Sequence, residues 1–81
     1  MRLDKYLKVA RLIKRRTVAN EACDASRVTV NGRDAKASYQ VKIGDVLCLS
    51  FGGRTLRVEV LSVPEHVAKV DAALLYRELP E

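Results

Sequence analysis

The chain of 81 residues, with a mass of 9.0 kDa, is long enough for one small domain and too short for two. Hydrophobic residues make up 48% of it and charged residues 31%, a composition that excludes a chain disordered throughout. Its apolar runs are only a few residues long, and its first residues lack the apolar segment of a secretory signal, which argues against a membrane span and against secretion. We therefore expect a cytoplasmic protein that does not bind a membrane.

Positive charge is concentrated at the amino terminus. The whole chain has a formal net charge of +5, whereas residues 1–16 alone have +6, because Asp4 is the single acid among seven basic side chains. A local field of this sign attracts polyanions, of which nucleic acid is the usual one in the cytosol. The alternative is a solvated helix face without a partner, but like charges crowded together repel one another. The basic residues of this cluster are Arg2, Lys5, Lys8, Arg11, Lys14, Arg15 and Arg16.

Hydrophobic periodicity predicts two helices, over residues 3–13 and from residue 15 or 16 to residue 25. The first helix would place Asp4, Lys8 and Arg11 together on the face opposite its apolar one, with Asp4 paired to Lys8 four positions later. The apolar face of the first helix consists of Leu3, Tyr6, Leu7, Ala10 and Ile13. The apolar stripe of the second consists of Val18, Ala22 and Ala25, with Ala19 and Cys23 beside it.

The start of the second helix is electrostatically unfavourable, because Lys14, Arg15 and Arg16 bring three cations to the positive end of the helix dipole. A phosphate bound there would remove the conflict, since free backbone N–H groups and basic side chains would both contact it. Thr17 is an alternative N-cap, which would start the helix later. Local rules broken without compensation are typical of functional sites, so we expect this helix end to bind nucleic acid.

After Ser26 the hydrophobic period changes to two, which predicts strands. Residues 27–32 are predicted to form a short strand that ends in an Asn-Gly turn, and residues 46–51 and 55–61 a hairpin around two glycines. A closing helix is predicted over residues 65–79, after Pro64. The fold class is α+β: two N-terminal helices packed on a small antiparallel β-sheet, with a C-terminal helix.

Residues that carry enzymatic chemistry are nearly absent from the sequence. His66 is the single histidine, and Cys23 and Cys48 lie at spacings that do not form a zinc site. The two cysteines are interpreted as free, small core residues of a protein in a reducing compartment. The four glycines fall in turns, with no phosphate-binding loop among them. We therefore expect no enzymatic activity, no cofactor and no metal.

Four sequence blocks resemble the successive signatures of the S-four RNA-binding domain, which is named for small-subunit ribosomal protein four. They are RLDKYL at residues 2–7, RTVA at 16–19, VTVNG at 28–32 and VKIGDV at 41–46. The resemblance implies an RNA-binding domain over residues 1–62, with residues 63–81 as its helical extension. One position departs from the pattern, because Ser26 stands where the family usually has glycine after the second helix. A left-handed conformation there would destabilise serine by about 1 kcal/mol relative to glycine.

Three further stretches narrow the resemblance to the RqcP family of bacterial ribosome-associated quality control: RLIKRRT at residues 11–17, NGRDAKAS at 31–38 and AALLY at 72–76. This resemblance implies binding to a large (50S) ribosomal subunit that is obstructed by peptidyl-tRNA, with contacts to 23S rRNA and to the tRNA. It also implies an RqcH-type partner that adds C-terminal alanine tails to the stalled nascent chain. We expect the protein itself to be a monomer.

Other functions within and outside this binding class stay open. A heat-shock-type recycling factor of the large subunit and a non-catalytic RNA-binding subunit of an RNA-modifying enzyme are the alternatives that also bind RNA. A DNA-binding helix-turn-helix protein is disfavoured, because the second helix lacks the polar groups that read base edges.

The family resemblance assigns RNA contact to Arg2 and Arg16, with Asp4 orienting the basic groups beside it. The adjoining basic side chains would support these contacts. The complete set of expected RNA-binding residues is Arg2, Asp4, Lys5, Lys8, Arg11, Lys14, Arg15, Arg16 and Lys36.

Overall fold

Two helices pack against one face of a five-stranded sheet. The computed structural model describes residues 1–63 and 75–80. The elements are α1 (Leu3–Val9), α2 (Arg16–Asp24), β1 (Val28–Val30), β2 (Arg33–Asp34), β3 (Val46–Phe51), β4 (Arg54–Val60) and β5 (Tyr76–Leu79). The strand order is β2-β1-β3-β4-β5, with each neighbouring pair antiparallel. The predicted packing of two amino-terminal helices on a small antiparallel sheet is confirmed. Neither of these helices has the length and apolar character needed to span a bilayer.

The predicted C-terminal helix is wrong at its end, where Tyr76–Leu79 forms strand β5. β5 pairs with β4, and Val60 lies opposite Tyr76 while Arg57 lies opposite Leu79. The rest of that predicted helix, residues 65–74, lies outside the described residues, as does His66. A short apolar stretch has the same hydrophobic pattern in a buried helix and in a strand. Here the stretch forms a strand, because pairing with β5 satisfies the backbone N–H and carbonyl groups at the open edge of β4.

α1 ends four residues earlier than its periodicity predicts, at Val9 instead of Ile13. Arg11 has a φ of +58°, and a left-handed residue after a helix turns the chain away from the helix axis. Two backbone hydrogen bonds close this end, from the N–H of Arg11 to the carbonyl three residues earlier and from the next N–H to the carbonyl five residues earlier, each 3.0 Å long. The helix therefore ends without a glycine, and Ile13 still reaches the core, with 6% of its surface exposed.

α2 begins at Arg16 with Arg15 as its N-cap, so the alternative N-cap at Thr17 is wrong. Its carboxyl end has the same closing motif as α1. Ser26 has a φ of +58°, which is the left-handed conformation expected of that position. The N–H of Ser26 donates to the carbonyl three residues earlier at 3.1 Å, and the next N–H donates five residues back at 2.9 Å.

The core lies between the helices and one face of the sheet. α2 contributes small side chains to it, because Ala19, Ala22 and Cys23 face inward. Val18 and Ala25, which were predicted on the apolar stripe, are exposed. Burial, with a smaller contribution from nearby acids, raises the pKa of the Cys23 thiol to about 11, so the thiol is protonated at neutral pH. The largest fully buried side chains are Tyr6, Leu3, Leu7, Leu47, Leu49, Leu75, Val28, Val58 and Val60.

Both cysteines are free, but only Cys23 is a core residue. Cys48 is half-buried, because its neighbours Leu47 and Leu49 point into the core and side chains alternate along a strand. It therefore lies on the sheet face away from the helices. The interpretation of Cys48 as a core residue is wrong.

A buried carboxylate joins the β1–β2 hairpin to the segment before β3. Asp45, 7% exposed, accepts hydrogen bonds from the Asn31 amide at 3.1 Å, the Tyr39 hydroxyl at 2.9 Å and the Lys42 N–H at 2.9 Å. The hydrogen bond to Asp45, together with burial and the charge of that carboxylate, raises the pKa of the Tyr39 hydroxyl. Asn31 and Gly32 form the predicted Asn-Gly turn, with φ values of +53° and +83°. This network holds the segment that packs on the start of α1.

Candidate nucleic-acid interface

Asp4, the single acid of the amino-terminal cluster, is buried, with 2% of its surface exposed. Its carboxylate lies 3.3 Å from Nε of Arg2 and 3.4 Å from Nε of Arg16, and it accepts a hydrogen bond from the Lys5 N–H at 2.8 Å. The prediction that Asp4 lies on the exposed face of α1 and pairs with Lys8 is therefore wrong. The carboxylate faces α2 instead, because Arg16 and the start of α2 pack beside it. We call Arg2, Asp4 and Arg16 the Asp4 clamp.

Hydrogen bonds keep the buried Asp4 carboxylate ionised. Burial by itself raises its pKa, but the Lys5 N–H, the Asn20 amide and the Arg16 guanidinium together outweigh burial, so the pKa of Asp4 lies below its usual value. Nδ2 of Asn20 lies 3.4 Å from the carboxylate. Sequence reasoning missed Asn20, although its position one helical turn after Arg16 places both side chains on one face of α2. The clamp thus holds two arginines from different segments beside one negative charge.

The amino end of α2 has free donors next to the clamp. No side chain caps it at Arg15, and the first turn contains no acid. Its first helical hydrogen bond runs from Ala19 N–H to the carbonyl of Arg15 at 3.0 Å, which leaves the N–H groups of residues 16–18 without an intrahelical acceptor. A cleft of about 400 Å³ lies here, lined by Asp4, Arg16, Thr17, Asn20 and Glu21. Free N–H groups and a guanidinium beside a cleft can bind a phosphate.

The amino end of α1 is closed by comparison. Its first N–H groups, those of Leu3 and Asp4, donate to the carbonyls of Tyr39 and Ala37 at 2.8 and 3.1 Å. An anion has no such donors to contact there. Of the two helix ends near the clamp, the end of α2 is the one available to an anion.

The remaining predicted basic residues fall into separate places. Lys8, Arg11 and Lys14 line another cleft, of about 440 Å³. Lys36 lines a third cleft, of about 640 Å³, together with Arg33. Arg33, which lies in the same NGRDAKAS block as Lys36, was not among the predicted RNA-binding residues, and the acid Asp34 lines the same cleft. Lys5 is half-buried beside the clamp and Arg15 is exposed at the N-cap of α2.

Within the described part of the chain, no group of histidine, cysteine, aspartate or glutamate side chains is arranged to hold a metal ion.

Comparisons with known proteins identify the family of this chain. The family model of the S4 domain matches residues 1–47. The RQC P-site tRNA stabilizing factor of Halalkalibacterium halodurans is 55% identical over 94% of this chain and 86% of its own length. The factor of the same name from Bacillus subtilis is 49% identical over 100% of this chain and 94% of its own length. The chain belongs to the S4 domain family and to the family of these two relatives. The predicted membership in the S-four and RqcP families is confirmed.

A solved structure resembles this S4 domain over nearly its whole length. The trimeric structure of Heat Shock Protein 15 from Vibrio cholerae has a TM-score of 0.88 at 32% identity, and the match covers 98% of this chain and 81% of that one. All nine predicted RNA-binding residues lie within the part of the chain that the S4 family model matches. Strands β4 and β5 lie after residue 47, so the family model does not cover them. They are nevertheless part of the same five-stranded sheet.

Proposed function

We propose that this S4 domain is a non-catalytic RNA-binding protein of cytoplasmic ribosome-associated quality control. In this proposal it binds large ribosomal subunits obstructed by peptidyl-tRNA, contacts 23S rRNA and the tRNA, and assists an RqcH-type factor in C-terminal alanine tailing. The observation that carries RNA binding is the Asp4 clamp beside the uncapped amino end of α2. The name of the relatives, RQC P-site tRNA stabilizing factor, supports the quality-control role and the tRNA contact.

The geometry of the clamp suits an RNA backbone. The Arg2 and Arg16 side chains are each about half exposed, at 45% and 47%. Each arginine can therefore contact a phosphate while its Nε stays paired with the Asp4 carboxylate. Side chains already held in place lose less conformational entropy on binding than free arginines do. The N–H groups at the start of α2 add donors to the same anion. Contacts of this kind position RNA without reading its sequence.

The second candidate function is that of a heat-shock-type factor that recycles large subunits without a role in tailing. The structural similarity to Heat Shock Protein 15 favours it. An alanine-tailing assay with purified obstructed subunits and an RqcH-type factor separates the two. Tailing that does not depend on this protein, with subunit binding intact, would support the recycling role.

The proposed RNA contact is tested by Arg16→Ala, with Arg54→Ala as the control. Both changes remove one exposed cation, but Arg54 lies in the β3–β4 hairpin, at the start of β4. We expect Arg16→Ala to weaken co-sedimentation with purified large subunits by about 1–3 kcal/mol and to lower the salt dependence by about one phosphate contact. The thermal midpoint of the free protein should fall only modestly, because the buried Asp4 carboxylate loses one partner but keeps those from Arg2, Lys5 and Asn20. Equal losses for the two variants would mean that net charge alone governs binding.

A further inference from the structure

Arg11 has a backbone conformation that its side chain disfavours. Its φ of +58° lies in the left-handed region, which glycine enters freely and other L-residues rarely occupy. The position follows the C-cap of α1, where glycine is the usual residue. Ser26 occupies the corresponding position after α2 with the same φ. The chain therefore keeps an arginine where glycine would be less strained.

The cleft beside Arg11 is lined by cations. Lys8, Arg11 and Lys14 surround it, all exposed, and the buried Ile13 is the remaining lining residue. The ion pairs found among residues 1–63 and 75–80 involve none of these three cations. The cleft at the Asp4 clamp differs, because a carboxylate and a second acid, Glu21, line it. Cations that converge without an acid among the lining residues favour an anionic ligand.

A purely structural role at the carboxyl end of α1 does not account for these cations. Cations near a helix carboxyl end can bond to its free carbonyls and oppose its dipole. In α1 the carbonyl of Lys8 already accepts the N–H of Arg11, and the carbonyl of Leu7 accepts the N–H groups of Leu12 and Ile13. The carbonyls of Leu7 and Lys8 are thus satisfied by the backbone, and the Arg11 side chain is not needed to cap them.

We propose that Lys8, Arg11 and Lys14 form a second site for RNA backbone phosphate, separate from the Asp4 clamp. The left-handed arginine is retained because its charge lines this site. The inference rests on the proposed RNA binding and adds a second phosphate site to it. The clefts at the two sites share no lining residue, so they would contact different phosphates of the bound RNA.

The test replaces each left-handed residue by glycine. Arg11→Gly and Ser26→Gly both relieve the same backbone conformation, and we expect each to raise the thermal midpoint by about 4–8 °C. With a short fluorescent RNA duplex as the probe, Arg11→Gly should lower affinity about tenfold and reduce the salt slope by about one contact. Ser26→Gly should leave RNA affinity unchanged. Arg11→Asn, which tolerates the left-handed region without the charge, should lose affinity as Arg11→Gly does.

Arg16→Ala in the same assay separates the inference from the proposed function. If Arg16→Ala weakens binding but Arg11→Gly and Arg11→Asn do not, the second site is refuted and the clamp stands. If none of the three weakens binding, RNA binding by this surface is itself refuted. Because separate sites act independently, the free-energy losses of Arg11→Gly and Arg16→Ala should add in the double variant. Losses well short of additive would mean that both residues belong to one site.

Discussion

At the scale of single residues, Asp4 determines the geometry of the candidate interface. Four donors surround its buried carboxylate: the guanidinium groups of Arg2 and Arg16, the Lys5 N–H and the Asn20 amide. Two of these donors, Arg2 and Arg16, are charged, and they come from separate segments of the chain. Asp4 is therefore both a buried group that must stay bonded and the anchor that sets the distance between two arginines.

Replacing Asp4 with Asn should destabilise the protein by about 1–3 kcal/mol, because the amide cannot pair with both arginines and brings its own donor into a site built for an acceptor. RNA affinity should fall as well, since Arg2 and Arg16 lose their common anchor. Urea unfolding at neutral pH and titration of the RNA duplex measure the two effects. Unchanged RNA affinity in a folded Asp4→Asn variant would show that the clamp does not position the arginines.

The stabilising effect of Asp4 should depend on pH. The pKa of Asp4 is lower in the folded chain than its usual value of 3.8, so its contribution is complete well above 3.8 and is lost as the pH falls through the folded value. The stability difference between the wild type and Asp4→Asn should therefore shrink as the pH falls below about 4. Urea unfolding over a pH series measures it, and a difference that stays constant into strong acid would contradict the lowered pKa.

At the scale of elements, a buried tyrosine joins α1 to the carboxyl end of the sheet. The Tyr6 hydroxyl donates to the carbonyl of Leu75 at 2.6 Å, immediately before β5. The same carbonyl accepts the N–H groups of Leu61 and Ser62 at 2.9 and 3.2 Å, after the end of β4. Burial raises the pKa of Tyr6, so the hydroxyl stays a donor throughout the neutral range. One carbonyl thus links α1, β4 and β5.

Tyr6→Phe should cost about 0.5–1.5 kcal/mol of stability, because it removes this hydrogen bond while the carbonyl keeps its backbone partners. A change of about 1 kcal/mol lowers the thermal midpoint of a domain this small by about 4–8 °C. Hydrogen exchange of the β5 amides should become faster, since the attachment of β5 to α1 is weakened. Tyr39→Phe is the matched control: it removes the hydroxyl bond to Asp45 and should leave exchange in β5 unchanged. Equal effects on β5 would show that Tyr6 does not anchor it.

At the scale of the whole molecule, charge is distributed unevenly over a small fold. The chain has a net charge of +5, and its amino-terminal segment supplies all of the excess. The structure spreads that segment over two clefts and a helix end, so the seven cations cannot all reach one stretch of backbone. We expect about four or five phosphate contacts in the complex.

This number of contacts predicts a steep salt dependence. With a slope of about −0.7 to −0.9 per contact, affinity for RNA should fall about a hundredfold over a fourfold rise in salt. Fluorescence titration of the RNA duplex at several salt concentrations measures the slope, and the Arg11→Gly/Arg16→Ala double variant should reduce it by about two contacts. A nearly flat titration would indicate that a protein surface, not RNA, is the main partner.

Local sequence patterns determined the features that depend on neighbouring residues. Two helices, the Asn31-Gly32 turn and the β3–β4 hairpin follow from periodicity and turn chemistry, and the structure confirms them. The unfavourable start of α2 at Arg16 and the left-handed Ser26 were also visible, because capping and φ preferences act within one turn of chain. The sequence blocks were sufficient to indicate the family. Through that family they also predicted Arg2, Asp4 and Arg16 as residues of the RNA-binding site.

Only the tertiary structure decided what depends on residues distant in the chain. Periodicity placed Asp4 in solvent, but Arg16 and Asn20 of α2 surround it in the fold. It continued α1 to Ile13, but the chain turns at Arg11 with no glycine to signal it. It extended a helix through Tyr76–Leu79, but those residues pair with β4. In each case a packing contact or a backbone turn determined the outcome. A hydrophobic pattern indicates only which side chains are apolar. It does not indicate which group will bond to a buried carboxylate or pair with the edge of a strand.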